Sequence, residues 1–222
     1  MGQSTAIKAL SFDAVGTLFH LRRSVGGGYA EVAARFGLQL DPAEVDRAFR
    51  QVWKTARQRP DGPREDDDRG LWREIVRDVL KHCGATLEPE PFAAFFSAAY
   101  ASYEGKQEWQ LYPETVSVLE ELSPRFRLAI ISNYDARLYP TLEELGIRPF
   151  FETVTVSSEA GSDKPSAGIF HTACRSLGLS PPEILHVGDE KAADLDGPVA
   201  AGLSAWLVER PAMSLRDLPV PG

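Results

Sequence analysis

The sequence predicts an α/β protein with a Rossmann-like three-layer core, built on a parallel sheet, and an inserted all-α helical bundle. Three observations support this fold class. Short β-rich apolar runs alternate with helical patterns in the first and last parts of the chain, which is typical of βαβ units. From about Leu21 to Glu108, apolar residues recur only at helical spacing. The 222 residues are enough for a core domain and a smaller insert.

Five apolar runs predict the strands of the core sheet, and helical patterns lie between them. The predicted strands are residues 7–12, 128–132, 153–157, 184–187 and 205–208. The predicted helices are residues 113–122, 136–145, 166–177 and 192–201. Pro113 and Pro165 suit helix starts, and Gly146, Gly178 and Gly202 suit helix ends. Strands that alternate with helices predict a parallel sheet that is covered on both faces.

The middle of the chain predicts four helices that form a small bundle. Apolar residues recur at helical spacing within residues 29–36, 45–52, 71–80 and 92–103. The glycine-rich segment 24–28 lacks the lysine of a phosphate-binding P-loop, and we interpret it as a hinge or a helix entry. The predicted domains are a core of residues 1–20 and 109–222 and an insert of residues 21–108.

The loop 59–68 ends in an acidic run, Glu65-Asp66-Asp67-Asp68. Acidic residues are favourable near a helix N-terminus, where they complement the helix dipole. We therefore interpret the run as solvated helix-terminal charge rather than as a metal site.

Composition limits the classes of function. The net charge is −8 and no run of Lys or Arg occurs, which argues against a nucleic-acid surface. No apolar run is long enough to span a bilayer. Cys83 and Cys174 have neither CxxC nor zinc spacing and are predicted to be free thiols in a reducing compartment. We expect a cytoplasmic protein with a small-molecule partner and no nucleic-acid or membrane partner, and its oligomeric state is left open.

Polar residues stand where four of the predicted segments end. Since parallel strands bind ligands at their carboxyl ends, these residues are expected to converge on one edge of the sheet. The four sets are Asp13 with Thr17, Ser132 with Asn133, Lys164 with Pro165, and Gly188-Asp189 with Asp194.

The chemistry of these residues is coherent. The Asp13 carboxylate can act as a nucleophile. Asp189 and Asp194 can build a hard oxygen site of the kind that Mg²⁺ prefers. Lys164 and the Ser132 hydroxyl can bind the anionic oxygens of a substrate. Together they predict phosphoryl transfer, in which positioning and charge neutralisation dominate catalysis.

The same residues resemble the four ordered motifs of the haloacid dehalogenase (HAD) superfamily. The motifs are Asp13-x-Val15-Gly16-Thr17-Leu18, Ser132-Asn133, Lys164-Pro165 and Gly188-Asp189-x-x-x-x-Asp194. The resemblance covers nearly the whole chain, because the helical insert is similar to the C1 cap of that superfamily. Four motifs in order, each at a predicted strand end, are specific where any one alone is weak.

The resemblance implies a role for each matching residue. Asp13 is the expected nucleophile, and Asp13, the Val15 carbonyl and Asp189 are the expected Mg²⁺ ligands. Asp194 is expected as a further metal ligand or as support for the metal site. Lys164 is expected beside the nucleophile, as a catalytic and substrate-binding residue. The expected contacts with substrate also include Thr17, Ser132 and Asn133.

Position 15 departs from the pattern of the superfamily's phosphatases, which usually have an Asp there as general acid. Valine cannot donate a proton, and loss of a general acid typically costs on the order of 10² to 10⁴ in rate. Superfamily dehalogenases lack this Asp too, but their fourth motif resembles Ser-Ser-Asn rather than Gly188-Asp189. Asp189 would place an unpaired charge beside Asp13 unless a cation lies between them.

Three functions therefore remain open. The first is a Mg²⁺-dependent, phosphatase-like hydrolase that acts on a small phosphorylated metabolite through an aspartyl-phosphate on Asp13. The second is a metal-independent 2-haloacid dehalogenase, for which Arg22 and Arg23 are candidate carboxylate ligands by position. The third is a catalytically weak HAD-fold protein that binds a ligand. Retention of Asp13, Lys164 and Asp189 speaks against the third, and Asp189, which calls for a cation, favours the first over the second.

Overall fold

The structure, a computed structural model, describes residues 6–56, 59–64 and 66–220. Its strands are β1 (Ala9–Phe12), β2 (Phe19–Leu21), β3 (Trp109–Leu111), β4 (Arg127–Ser132), β5 (Thr153–Val156), β6 (Ile184–Gly188) and β7 (Ser204–Leu207). Five of them form a parallel sheet in the order β5-β4-β1-β6-β7. The predicted parallel sheet is confirmed.

Helices connect and cover these strands. They are α1 (Val25–Ala34), α2 (Pro42–Ala56), α3 (Arg69–His82), α4 (Pro89–Ser102), α5 (Thr115–Leu122), α6 (Leu138–Glu144), α7 (Ser157–Ala160), α8 (Ala167–Leu177) and α9 (Gly197–Ala200). The predicted helix 192–201 is instead a π-helical stretch, Lys191–Asp196, followed by α9. The predicted strand 153–157 ends one residue early, because Ser157 begins α7.

Both faces of the parallel sheet are buried, which makes the core three layers thick. In β1, Leu10 and Phe12 point to the face that α5 and α6 cover, whereas Ala9 points to the face covered by α8. The same alternation occurs in β4, where Ile130 and Ile131 belong to opposite clusters. No helix among the described residues is both long and apolar enough to cross a membrane. Cys83 and Cys174 are free, as predicted.

Helices α1 to α4 form the inserted bundle and have a hydrophobic cluster of their own. Helix α1 begins after Ser24, whose hydroxyl accepts a hydrogen bond from Gly27 N at 3.2 Å. A Cβ atom at Gly26 would lie 1.9 Å from the carbonyl oxygen of Pro42, so only glycine lets α1 approach α2 this closely. The segment 24–28 is therefore the helix entry that the sequence predicts.

The chain passes from the core to the helical bundle through β2 and returns through β3, and these two strands are hydrogen-bonded to each other. Strands β2 and β3 form a two-stranded antiparallel sheet in which Leu21 lies opposite Trp109. This pair lies at the predicted domain boundary, and three-residue strands are too short to show a periodic pattern in the sequence. The boundaries at residues 20/21 and 108/109 stay a prediction.

The interpretation of the acidic run as solvated charge is wrong for Asp67 and Asp68, which have partners in the protein, whereas Glu65 lies outside the described residues. Asp68 precedes α3 but is buried, and it pairs with Arg59 at 2.6 Å. Arg59 also pairs with Asp163 of the core at 2.7 Å. Asp67 accepts a hydrogen bond from Ala136 N at 2.9 Å. Asp67 and Asp68 thus help to join the bundle to the core, because Arg59 and the Ala136 backbone N–H provide their partners.

Candidate active site

The predicted site residues meet at the carboxyl end of the parallel sheet. Strand β1 lies between β4 and β6, so the direction of strand succession reverses at this point and leaves a crevice for a ligand. Asp13 directly follows β1, and its backbone N–H donates to Val187 O at 2.8 Å. Ser132 ends β4, Asp189 follows β6, and Lys164 lies in the loop between α7 and α8.

Lys164 joins two carboxylates inside the crevice. Its Nζ donates to Asp13 Oδ1 at 2.7 Å and to Asp194 Oδ1 at 2.6 Å. Asp13 Oδ1 also accepts a hydrogen bond from Ser132 Oγ at 3.1 Å. All four residues are buried. Asp13 is therefore held by two donors that lie on different segments of the chain.

Asp194 is held in place by groups behind the site. The ring nitrogen Nε2 of His186 lies 3.2 Å from Asp194 Oδ1, and the backbone N–H of Glu190 donates to Oδ2 at 2.9 Å. The other ring nitrogen of His186 hydrogen-bonds to Ser11 Oγ at 2.9 Å. His186 is fully buried, and the sequence did not predict its polar contacts because it stands in an apolar run.

Asp189 is exposed and lies at the mouth of the crevice. The Thr17 hydroxyl donates to its Oδ1 at 3.0 Å. Gly16 has a φ of +91°, and a Cβ atom there would lie 2.3 Å from Asp189 Oδ2. A Cβ atom at Gly188 would lie 2.2 Å from the carboxyl carbon of Asp194. Two glycines thus allow the backbone to approach two of the carboxylates.

Asn133 and Arg210 position the loops of the site. Asn133 donates to Lys164 O at 2.9 Å and accepts from Lys164 N at 2.7 Å, so it holds the backbone of the lysine. Arg210 donates to the carbonyl oxygens of Gly16 and Thr17 at 3.1 and 2.8 Å. Sequence reasoning missed Arg210, because a lone arginine after the last strand carries no motif. Contacts of Thr17, Ser132 and Asn133 with a substrate stay predictions.

Three carboxylates and the Lys164 ammonium group meet in the crevice, and their surroundings shift the pKa values of the carboxylates. Burial raises the pKa of Asp13 from 3.8 to about 7, although Lys164 acts against the increase and Asp194 adds to it. The pKa of Asp189 is raised as well, because the walls at the mouth of the crevice remove part of the water around its carboxylate. For Asp194, burial is outweighed by Lys164 and His186, which hold its pKa well below the usual range. Lys164 thus favours the charged form of both Asp13 and Asp194, and for Asp13 the effect of burial is larger.

The surplus of carboxylates suits a divalent cation. Asp13, Asp189 and Asp194 each have a carboxylate oxygen within 4.8 Å of one from the others. Oxygen ligands of this kind match the preference of Mg²⁺, which binds through one or two carboxylates and keeps several waters. The Val15 carbonyl as a further ligand stays a prediction.

The fold and the site define a class: an α/β protein with an inserted helical cap and a carboxylate–lysine site at the switch point of its parallel sheet. The profile of the haloacid dehalogenase-like hydrolase family matches residues 7–202. The chain belongs to this hydrolase family, as its motifs predicted.

Similar proteins include members with different chemistry. The Homo sapiens haloacid dehalogenase-like hydrolase domain-containing protein 3 is 32% identical and aligns over 95% of this chain and 85% of its own. The L-2-haloacid dehalogenase from Xanthobacter autotrophicus has a TM-score of 0.70 at 24% identity and covers 92% of this chain and 78% of its own. A HAD phosphatase from Thermococcus onnurineus has a TM-score of 0.62 at 20% identity and covers 94% of this chain and 91% of its own. These two structures support the fold alone.

Proposed function

We propose that the protein is a Mg²⁺-dependent, phosphatase-like hydrolase that acts on a small phosphorylated metabolite in the cytoplasm. The observation that carries the proposal is the meeting of the Asp13, Asp189 and Asp194 carboxylates, of which only Asp13 and Asp194 contact the Lys164 ammonium group. Bound Mg²⁺ would neutralise the surplus charge, and with it the phosphate could approach the Asp13 carboxylate. Asp13, Asp189, the Val15 carbonyl and Asp194 are the groups that would hold the ion or support it.

In the first half of the proposed reaction, the free carboxylate oxygen of Asp13 attacks phosphorus. The bond from phosphorus to the leaving oxygen breaks, and an aspartyl-phosphate forms on Asp13. Lys164 and Ser132 keep the carboxylate in position and bind anionic oxygens. In the second half, water attacks phosphorus and the bond from phosphorus to the Asp13 oxygen breaks, so that Asp13 leaves as a carboxylate and the released phosphate keeps both protons of the water.

Val15 determines which substrates can react well. Its side chain cannot protonate the leaving oxygen, so substrates whose leaving group is stable as an anion are favoured. Ordinary alkyl monoesters, which release a strongly basic alkoxide, are expected to react slowly.

A 2-haloacid dehalogenase is the second candidate, because a halide leaves without a proton and needs no acid at position 15. Two observations weigh against it. Arg22 donates to Trp109 O at 2.8 Å, and Arg23 pairs with Glu108 and Glu31, so both proposed carboxylate ligands already have partners. Asp189 also brings a third carboxylate that metal-free halide displacement does not use.

Metal removal separates the two candidates. We expect hydrolysis of 4-nitrophenyl phosphate with Mg²⁺, and loss of this activity when a chelator is added. Beryllium fluoride with Mg²⁺ should form a stable adduct on Asp13, visible as an increase in melting temperature. Halide release from a 2-chloro acid that persists in chelator would establish the dehalogenase instead. An adduct without turnover of any phosphate ester would support a ligand-binding protein.

Gly16→Ala is expected to disrupt the metal site. Alanine at a φ of +91° is strained. Its Cβ would also displace the Asp189 carboxylate, because Asp189 Oδ2 lies 2.3 Å from the position that the Cβ atom would occupy. We expect phosphatase activity to fall at least about 100-fold and the Mg²⁺ concentration for half-maximal activity to rise, since a displaced ligand geometry is costly in metal sites.

Gly37→Ala is the matched control, because its φ is +74° and nothing lies within 4 Å of the added Cβ. It should lose about 1 kcal/mol of stability through backbone strain and retain full activity. Equal losses of activity in the two variants would mean that strain alone, and not the contact with Asp189, explains the effect.

A further inference from the structure

A cavity of about 210 Å³ lies between the cap and the carboxyl end of the sheet. Nine of its sixteen lining residues are aromatic and five are aliphatic. Protein interiors are close-packed, and voids larger than a water molecule are few in a domain. An aromatic cavity of this size therefore calls for an explanation beyond cap packing.

The cavity adjoins the crevice that contains Asp13. Val15, Trp53, Asn133 and Tyr134 line both spaces. A phosphate beside Asp13 would accordingly have the rest of its molecule directed past Val15 into the cavity. An Asp at position 15 would put a carboxylate on this apolar wall, whereas valine continues it.

Two polar groups of the cavity, on Arg137 and Tyr134, already have partners within the protein. The guanidinium of Arg137 forms paired hydrogen bonds with the Asp135 carboxylate, at 2.8 and 2.6 Å, and lies 3.7 Å from the centre of the Tyr100 ring. The hydroxyl of Tyr134 donates to Tyr103 O at 3.3 Å. A second carboxylate on the substrate would therefore compete with Asp135 for Arg137, the charged residue that lines the cavity.

Flat aromatic faces dominate the wall of the cavity nearest the crevice. Trp53 stacks on Trp72 with ring centres 5.3 Å apart and an interplanar angle of 18°. Stacked indole rings present a planar, apolar surface, which favours another ring over a branched or hydrated group. The volume exceeds that of an apolar protein cavity of about 150 Å³ that accepts benzene.

We propose that the substrate is an aryl phosphate, whose ring system of one or two fused rings occupies this cavity. The proposal rests on the phosphatase function above and names its substrate class. It also accounts for Val15: a phenol has a pKa of about 10, as in tyrosine, so an aryl oxide can leave without the proton that an alkoxide needs. The cavity thus selects the leaving groups that the missing acid permits.

The test compares three substrates in the presence of Mg²⁺. Phenyl and 2-naphthyl phosphate have leaving groups of similar acidity but different size, and acetyl phosphate is a small activated reference. We expect kcat/KM for 2-naphthyl phosphate to exceed that for phenyl phosphate at least about tenfold, since extra buried methylene-sized groups are worth about 10- to 200-fold each.

The decisive variant is one in which a larger side chain fills the cavity. Ala99 lines the cavity on α4, so Ala99→Phe should lower kcat/KM for 2-naphthyl phosphate at least tenfold and leave that for acetyl phosphate within twofold. Ala94→Phe, on the exposed side of the same helix, is the control and should change neither. If Ala99→Phe does not fold, Val76→Phe fills the same cavity from α3.

Binding is measured separately from turnover, by calorimetry with 2-naphthylmethylphosphonate and methylphosphonate. Hydrolysis of acetyl phosphate without any preference for the naphthyl compounds would overturn the aryl proposal and leave the phosphatase function intact. Naphthyl-selective binding that Ala99→Phe removes, without hydrolysis of any ester, would overturn the phosphatase function and support the cavity as an aryl site. Equal loss for all three substrates in Ala99→Phe would also contradict the cavity assignment.

Discussion

Asp13→Asn is expected to abolish hydrolysis of 4-nitrophenyl phosphate in the presence of Mg²⁺. An amide is not a nucleophile towards phosphorus, so no aspartyl intermediate can form. Loss of a catalytic nucleophile costs on the order of 10⁶ in kcat in a well-studied hydrolase, and we expect a decrease of at least about 10⁴-fold here. The measurement is phosphate release at saturating Mg²⁺, normalised to folded protein.

The same variant is expected to be more stable than the wild type when divalent ions are removed. Because the pKa of Asp13 is raised from 3.8 to about 7, the native state holds a proton that the unfolded chain releases between these pH values. The wild type therefore loses stability as the pH rises from about 4 to 7, and asparagine removes this loss. The hydrogen bond from Ser132 can persist, because the amide oxygen is still an acceptor.

Denaturation with chelator at pH 5 and pH 8 tests the stability effect. The free energy of unfolding of Asp13→Asn should exceed that of the wild type by more at pH 8 than at pH 5. Asp78→Asn, on the exposed face of α3, should match the wild type in both stability and activity. A variant that is less stable than the wild type at pH 8 would mean that Asp13 stabilises the fold through Lys164 more than it destabilises it through burial.

The core could be predicted from the sequence because its strands are apolar and its helices have clear ends. Residues such as Ile130 and Ile131 are both buried, on opposite faces, so strand β4 is a continuous apolar run rather than an alternating one. The β2–β3 pair and the π-helical stretch Lys191–Asp196 could not be predicted. Three residues show no period, and the π-helical stretch differs from an α-helix in its hydrogen bonds and not in composition.

The charged residues of the site could be predicted for a different reason. A carboxylate or a lysine at or after the end of an apolar strand is unusual enough to indicate a functional position. Asp13, Lys164 and Asp194 are found together as the resemblance implied. The residues that hold the site in place, Arg210 and His186, could not be predicted. Arg210 contacts Thr17, which is 193 residues away along the chain, and His186 contacts Asp194, which is 8 residues away and shares no motif with it. The burial of Asp68 in the acidic run could not be predicted either. Its pairing with Arg59 requires the cap loop to fold back on the core, where Arg59 also pairs with Asp163.

Lys164→Met is expected to destabilise the protein strongly when Mg²⁺ is absent. The ammonium group contacts both Asp13 and Asp194 while its side chain is only 2% exposed. Methionine has a similar length but no charge, so two buried carboxylates lose their shared partner. Removing one member of a buried ion pair typically costs about 3–5 kcal/mol. For a chain of this length, that corresponds to a decrease in melting temperature of about 6–20 °C.

Lys191→Met is the matched control, because Lys191 pairs with Asp196 in solvent, where the two side chains are 70% and 57% exposed. Such a pair contributes about 0–1 kcal/mol. Comparing the two variants thus separates loss of a lysine charge in general from loss of the charge that Asp13 and Asp194 share.

Mg²⁺ and acid should each restore part of the stability of Lys164→Met, for the same physical reason. A bound cation can compensate carboxylates that have lost their ammonium partner, so Mg²⁺ should raise the melting temperature of this variant more than that of the wild type. Lowering the pH protonates the carboxylates and removes the uncompensated charge, so the deficit in stability should shrink as the pH falls below about 7, the raised pKa of Asp13. Activity should stay at least about 100-fold reduced even with Mg²⁺, because Asp13 loses the donor that positions it. A melting temperature that does not depend on Mg²⁺ or pH would mean that Lys164 stabilises the crevice by packing, and that the three carboxylates do not form a cation site.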